Sequence, residues 1–238
     1  MEIHKFDTIP STNSALMDFS KKNAKSWTVF WTSNQTNGRG YSGNHWESNQ
    51  DQNLAVSVLI KTELTYQELI YFNQWISNVV RKVISSYVPS AFVKWPNDII
   101  AETKKVSGIL VETYKHENQM NIVVGVGINV NQTHFGELSK AGSLASITGK
   151  NYDIEEILSD FLTEMQASFV QIEQKQWEYI QNTYLTHLFR KDVPSEFLKN
   201  QEIFSGIIRG VDSSGLLLVE LSNRELKTFQ HKEVELIY

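Results

Sequence analysis

Apolar residues recur along this chain at two spacings. Between 65 and 87, Leu69, Phe72, Ile76, Val79, Val80 and Val83 fall at helical intervals, and Thr65-x-x-Glu68 ahead of them has the form of a capping box. A helix is predicted there. Ala15, Leu16 and Phe19 share one helical face over 12–22 behind a Ser/Thr start. Asp153-x-x-Glu156 precedes Ile157, Leu158, Phe161 and Leu162, and a further helix is expected through 175–187. Runs rich in β-branched and aromatic residues at 28–33, 54–60, 91–95, 106–112 and 120–130 read as strands. Between the first two, 34–53 has glycine and asparagine but almost no apolar periodicity. It is read as a long loop, of the length that usually carries function or moves.

After Arg190 the pattern changes. Segments 202–209, 215–221, 225–230 and 233–237 are short, β-rich and separated by turns such as Asp212-Ser213-Ser214-Gly215. They predict a small β-barrel over 190–238, following a larger domain over 1–189. In that larger part the strands are mostly sequence neighbours interleaved with helices. The expected class is therefore α+β, a mixed sheet flanked by helices, and not a doubly wound sheet.

Composition narrows the function. Forty-one per cent hydrophobic residues in 238 support a sizeable core, and 22 Lys plus Arg against 27 Asp plus Glu leave a net charge of −5. Nucleic-acid backbone is a poor main partner for such a chain. With no cysteine, disulfides, thiolate metal sites and cysteine nucleophiles all drop out. The six histidines never fall at i, i+4 spacing, so no dedicated zinc site is expected. Met1 to Phe6 lacks the pattern of a signal peptide, and the longest apolar stretches, such as 122–128, are too short to cross a bilayer. A soluble, cytoplasmic protein is the expectation, which makes the Asn-x-Thr sequons at Asn34 and Asn131 chance matches.

Two familiar patterns fail on context. Gly38-Arg39-Gly40-Tyr41-Ser42-Gly43 satisfies G-x-G-x-x-G, but Asn44 to Asn49 is no helix start, so a dinucleotide fold is rejected. Gly149-Lys150 resembles the end of a P-loop, yet Asn151 replaces the Ser/Thr and Leu144 the first glycine. No G-x-S-x-G elbow occurs either.

Five polar segments remain. Ser11-Thr12-Asn13 is a natural helix cap and also a trio of small hydrogen-bonding groups. In Gln35-Thr36-Asn37-Gly38-Arg39-Gly40-Tyr41-Ser42-Gly43-Asn44-His45-Trp46, backbone N–H groups and one guanidinium can close over an anion; the plainer reading, a surface loop, leaves Trp46 unexplained. In Lys94-Trp95-Pro96-Asn97-Asp98, Pro96 imposes an extended turn that presents Lys94, Asn97 and Asp98 at a strand end. Along Lys105 to Glu112, alternation puts Lys105, Ser107, Ile109 and Val111 on one face. There Gly108 permits close approach, Lys105 is the candidate central cation, and Lys104 points elsewhere. Gly125, Gly127 and Asn129 interrupt an apolar strand where they cost stability, which hints at a ligand.

In this order these segments resemble the biotin–protein ligase family, and Gly206 to Gly215 resembles its small SH3-like barrel. The resemblance covers essentially the whole chain. It implies a class II synthetase-like biotin/lipoate ligase catalytic domain that adenylates biotin with ATP and Mg²⁺ to biotinyl-5′-AMP. The biotinyl group then passes to one lysine of a biotin carboxyl carrier protein domain. It also implies that Ser11, Thr12, Asn13, Gln35, Gly38, Arg39, Gly40, Tyr41, Lys105, Gly108 and Gly125 meet biotin. Arg39, Trp46, Lys94, Asn97, Lys105 and Asn129 meet ATP or the adenylate, and Lys105, Arg39, Lys94 and Asp98 serve catalysis, with no metal held by the protein alone. Tyr41 and Asn44 stand where some members carry arginines, which lowers the charge available to grip phosphate. An exposed sheet edge used for self-association as a homodimer, or for carrier docking by strand addition, is a further implication. Ser11 lies so near the start that no DNA-binding helix-turn-helix, and hence no repressor function, is expected. A lipoate ligase and a non-catalytic biotin-binding module are the alternatives; the second predicts no pyrophosphate release.

Overall fold

A computed structural model describes residues 1–22, 24–116 and 119–238. The chain runs β1 (Glu2–Lys5), α1 (Thr12–Ser20), β2 (Thr28–Thr32), β3 (Gly38–Arg39), β4 (His45–Trp46), β5 (Asn53–Thr62), α2 (Leu69–Ser85), β6 (Ala91–Lys94), β7 (Asp98–Ala101), β8 (Lys104–His116) and β9 (Gln119–Asn129). It continues through α3 (Leu144–Thr148), α4 (Ile154–Ser168), α5 (Val170–Glu173) and α6 (Trp177–Thr186). The last strands are β10 (Pro194–Lys199), β11 (Glu202–Val211), β12 (Leu217–Leu221), β13 (Leu226–Phe229) and β14 (Glu235–Ile237).

The expected α+β class holds. Seven strands form one mixed sheet in the order β1-β2-β5-β9-β8-β7-β6, parallel only between β1 and β2. Helix α2 buries Phe72, Trp75, Ile76, Val79, Val80 and Val83 against one face, as its periodicity demanded. The reciprocal Thr65–Glu68 bonds form as well, one turn ahead of the regular helix. Two polar bonds lock the neighbouring helices: Trp75 Nε1 donates to Ser168 Oγ of α4 at 3.1 Å, and Asn78 Nδ2 to the Ile180 carbonyl of α6 at 3.0 Å. On the opposite face α1 seals a smaller core of Leu16, Phe30, Leu59 and Val123. The rest of that face is left to the site described below.

From α6 the chain passes along the outer edge of the sheet, where Val93 N–H donates to the His187 carbonyl and Phe189 N–H to the Val93 carbonyl. It then enters a five-stranded antiparallel sheet, β13-β12-β11-β10-β14. The apolar residues of this module, among them Phe197, Ile208, Val219 and Phe229, join the main core.

Several elements escaped the pattern reading. Strand β7 has no counterpart in the pattern: its Ile99, Ile100 and Ala101 are all fully buried, so no alternation announces it. Strand β1 and the short helices α3 and α5 are too brief to carry a period, and β10 opens on Pro194, a residue that argues against a strand. The segment 34–53 is also not all loop, because β3 and β4 pair as a small hairpin. Of the two rejected motifs, Gly38 and Arg39 lie in that hairpin, and Gly149 is simply the left-handed residue that ends α3 (φ 72°).

Candidate active site

The floor of the site is the centre of the large sheet, where β5, β9 and β8 present Ser57, Gly125, Gly127, Gly108 and Leu110. The glycines have a steric reason. A Cβ on Gly125 would lie 2.9 Å from Asn13 Cγ, one on Gly127 2.6 Å from Trp46 Cζ2, and one on Gly108 3.0 Å from Trp46 Cζ3. What approaches the strand is thus the protein itself: the start of α1 over Gly125 and the Trp46 indole over Gly127.

The polar trio sits over one end of this floor, fully buried. Ser11 caps α1, its Oγ accepting from Ser14 N–H, so the plain structural role is real. Ser57 Oγ lies 2.8 Å from Thr12 Oγ1 and 2.9 Å from Asn13 Oδ1. Gln35 Oε1 accepts from Thr12 N–H at 2.8 Å. Asn13 Nδ2 donates to Glu112 Oε2 at 2.8 Å. These bonds orient every member of the trio.

The cations gather at the other end. Lys105 Nζ lies 2.6 Å from Asp98 Oδ1, and Lys94 Nζ 4.0 Å from Asp98 Oδ2. The strand geometry here overturns the simple alternation. Ile99 pairs with Ser107 and Ile100 with Lys105, so Val106 has no opposite number. This β-bulge turns Lys105 onto the face of Gly108 and Leu110, away from Ile109 and Val111. Lys104 does point elsewhere, donating to the Ser139 carbonyl. The Lys94 ammonium is held below its ordinary lysine value, first by burial and then by Lys105 and Lys140, with Asp98 opposing.

The Lys-Trp-Pro-Asn-Asp segment is the tight turn between β6 and β7, with Lys94 directly opposite Asp98 and a cis Trp95–Pro96 peptide. Asn97 Nδ2 donates to the Ile109 carbonyl at 2.6 Å, and the buried Tyr184 hydroxyl donates to the Pro96 carbonyl at 3.1 Å. Burial keeps that phenol protonated far above its usual range.

Over this floor lies the β3–β4 flap. Arg39 reaches back to Glu112 Oε1 at 2.5 Å and Ser14 Oγ at 2.9 Å, on the trio's side and not beside Lys105. Trp46 covers the centre, with Lys105 Nζ 5.8 Å from its ring and its Nε1 buried without a hydrogen-bond partner among the described residues. The open cavity between flap and floor is about 100 Å³. That is below the ~300–1,000 Å³ of ordinary small-molecule sites, and the cavity continues past Asn44, Asp98 and His231 into a neighbouring one.

Most residues singled out from sequence meet in this one cavity: Ser11, Thr12, Asn13, Gln35, Arg39, Gly40, Tyr41, Trp46, Asn97, Asp98, Lys105, Gly108 and Gly125. Three do not line it. Gly38 stands behind Gln35, where only glycine fits. Lys94 lines an adjoining cavity that shares Asn44, Asp98 and His231 with the first. Asn129 is a clip: its Nδ2 donates to the carbonyls of Gly142 (2.9 Å) and Lys105 (3.4 Å), holding the backbone of Lys105 in place. Glu112, Ser57 and His231 were missed. Glu112 lay inside a quoted segment, but an acidic residue on a strand carries no signal until its partners are known. His231 comes from β13's far end, a sequence distance that no motif spans.

Residues 5–129 match the biotin/lipoate A/B protein ligase family, and 196–234 match the biotin protein ligase C-terminal domain. The chain belongs to the biotin/lipoate A/B protein ligase family. Within reach of this family membership, the chain is 30% identical to the bifunctional ligase/repressor BirA of Escherichia coli, over 89% of this chain and 67% of that one. It is 27% identical to the biotin–[acetyl-CoA-carboxylase] ligase of Mycobacterium tuberculosis, over 92% and 85%. The biotin protein ligase of Aquifex aeolicus, solved in complex with biotin and ATP, superposes with a TM-score of 0.80 at 25% identity, over 99% and 98%.

Proposed function

We propose that this chain is a biotin–protein ligase that adenylates biotin with ATP to biotinyl-5′-AMP and transfers the biotinyl group to a lysine of a biotin carboxyl carrier protein domain. The observation that carries the reading is the pairing, in one cavity, of a buried neutral polar trio at one end with Lys105 and Asp98 at the other. A ureido ring needs neutral donors and acceptors. A carboxylate meeting an α-phosphate needs fixed cations, because two anions must come together. The matching C-terminal domain and the named relatives favour biotin over lipoate.

In the first step a biotin carboxylate oxygen bonds to the α-phosphorus and pyrophosphate leaves. Lys105, with Lys94 behind it, offsets the charge there. In the second step the carrier amine attacks the acyl carbon and AMP leaves. Asp98, held between two lysines, orients the incoming ammonium, which gives its proton to solvent before the neutral amine attacks. Magnesium would arrive on the triphosphate, as part of the substrate. On this reading residues 1–189 form the catalytic unit and 190–238 a module closing its side.

Biotin-dependent exchange of labelled pyrophosphate into ATP tests the assignment. Exchange by the wild type, reduced at least a hundredfold in Lys105→Ala, is expected. A folded wild type that exchanges nothing with biotin and magnesium present would point to another acid or to binding alone.

A further inference from the structure

The β3–β4 flap is fastened at two places. One is the Arg39–Glu112 pair on the catalytic sheet. The other is on the C-terminal module: the exposed Tyr41 ring meets the His231 imidazole edge-on, with centroids 4.7 Å apart and planes at 78°. His231 in turn lies 6.0 Å from the Trp95 ring, so it is wedged between the flap and the Lys-Trp-Pro-Asn-Asp turn. The turn that carries it is closed by its flanking residues. Gln230 N–H donates to Glu233 Oε2 at 2.9 Å, Glu233 N–H returns to the Gln230 carbonyl at 3.0 Å, and Lys199 pairs with Glu233 at 2.5 Å. Trp95 Nε1 donates to the Gly215 carbonyl at 2.9 Å, tying the turn to the same module.

The tip of the flap is a hydrogen-bonded turn. Gly40 N–H donates to the Asn44 carbonyl at 2.7 Å and Asn44 N–H to the Tyr41 carbonyl at 3.3 Å, with Gly43 at φ 82° closing the turn. Holding Tyr41 therefore holds Arg39 and Trp46, which lie on the same hairpin. Burial first, and then Lys232, Lys94 and Lys105, depress the proton affinity of His231 against the pull of Asp98. A neutral ring adds no further cation beside the lysines.

We propose that His231 is a positioning residue: through Tyr41 it lets the C-terminal module set how often the flap opens, and hence how long a ligand beneath it is retained. The consequence for the adenylate rests on the ligase reading above; the latch itself does not. Aromatic pairs of this kind correspond to roughly a two- to tenfold effect on an opening equilibrium.

Hydrogen exchange of the 38–46 amides in the full ligand-free chain tests the latch directly. His231→Ala and Tyr41→Ala should each speed exchange there about two- to tenfold, and the double variant should add nothing beyond either. His231→Phe and Tyr41→Phe, which keep the ring contact, should restore protection. Unchanged exchange in His231→Ala, or fully additive effects, would overturn the proposal, and thermal melting separates either from misfolding. The second readout is release of preformed labelled biotinyl-adenylate, expected to accelerate in parallel with exchange. A latch seen by exchange in a wild type that makes no adenylate would sustain this inference while removing the ligase reading.

Discussion

Glu112 binds two residues that belong to different parts of the proposed ligand site, the Asn13 amide and the Arg39 guanidinium. It orders the trio and parks the flap's one arginine with the same carboxylate. Glu112→Gln keeps one acceptor for Asn13 but loses the ion pair. Because Arg39 is exposed, the loss is moderated by solvent, and about three- to tenfold weaker biotin binding by calorimetry is expected. Binding unchanged in this variant would remove Glu112 from the site. Lys94 makes a second residue-scale prediction. Its folded-state pKa is depressed, so charging it costs folding free energy below that pKa, and the cost fades as pH rises through it. If the ammonium form serves adenylation, pyrophosphate exchange should fall on the alkaline side below the ordinary lysine value of about 10.4. Lys94→Arg, charged at all accessible pH, should shift that limb upward. A limb that stays in place assigns it to another group.

Element geometry decides where these side chains point. The unpaired Val106 reverses the pleat between Lys105 and Ser107, and Asn129 pins the Lys105 carbonyl to the neighbouring Gly142 segment. Helix α1 approaches β9 as closely as it does only because Gly125 has no side chain. Gly125→Ala should push Asn13 off Ser57 and Glu112, destabilising the chain by about 1–3 kcal/mol through overpacking. In a chain of this size that lowers the melting temperature by roughly 2–10 °C. Biotin binding should weaken with it. A variant that melts like wild type and binds normally would show that α1 can lift without consequence.

At the scale of the whole molecule, the site is a junction. The sheet supplies the floor, the β6–β7 turn supplies Asp98, and the C-terminal module supplies His231. On the proposed mechanism Asp98 matters most when the carrier lysine arrives, since that is when an ammonium must be aligned. Asp98→Ala should therefore slow transfer of preformed adenylate to a carrier domain by at least tenfold more than it slows pyrophosphate exchange. Equal losses in the two half-reactions would assign Asp98 to Lys105 alone, through their 2.6 Å pair.

Much of this was written in local order. Helix α2 follows from six apolar residues at one spacing, α4 from its Asp153 cap, and the polar segments stand out because each interrupts a pattern the core would otherwise continue. Residue chemistry and sequence order therefore determined which groups the site draws on. Their orientation was another matter. Alternation along β8 put Lys105 with Ile109, but pairing with β7 inserts a bulge that alternation cannot encode. The glycines of β9 signalled a close approach, yet only packing showed that Asn13 and Trp46 make it. Glu112 and His231 acquire meaning from partners 73 and 190 residues away in sequence, Arg39 and Tyr41, and such contacts exist only once the chain has closed on itself. Side-chain identity is a local property of the sequence; which side chains face one another depends on strand register and on the docking of the C-terminal module, and those are settled by the tertiary fold.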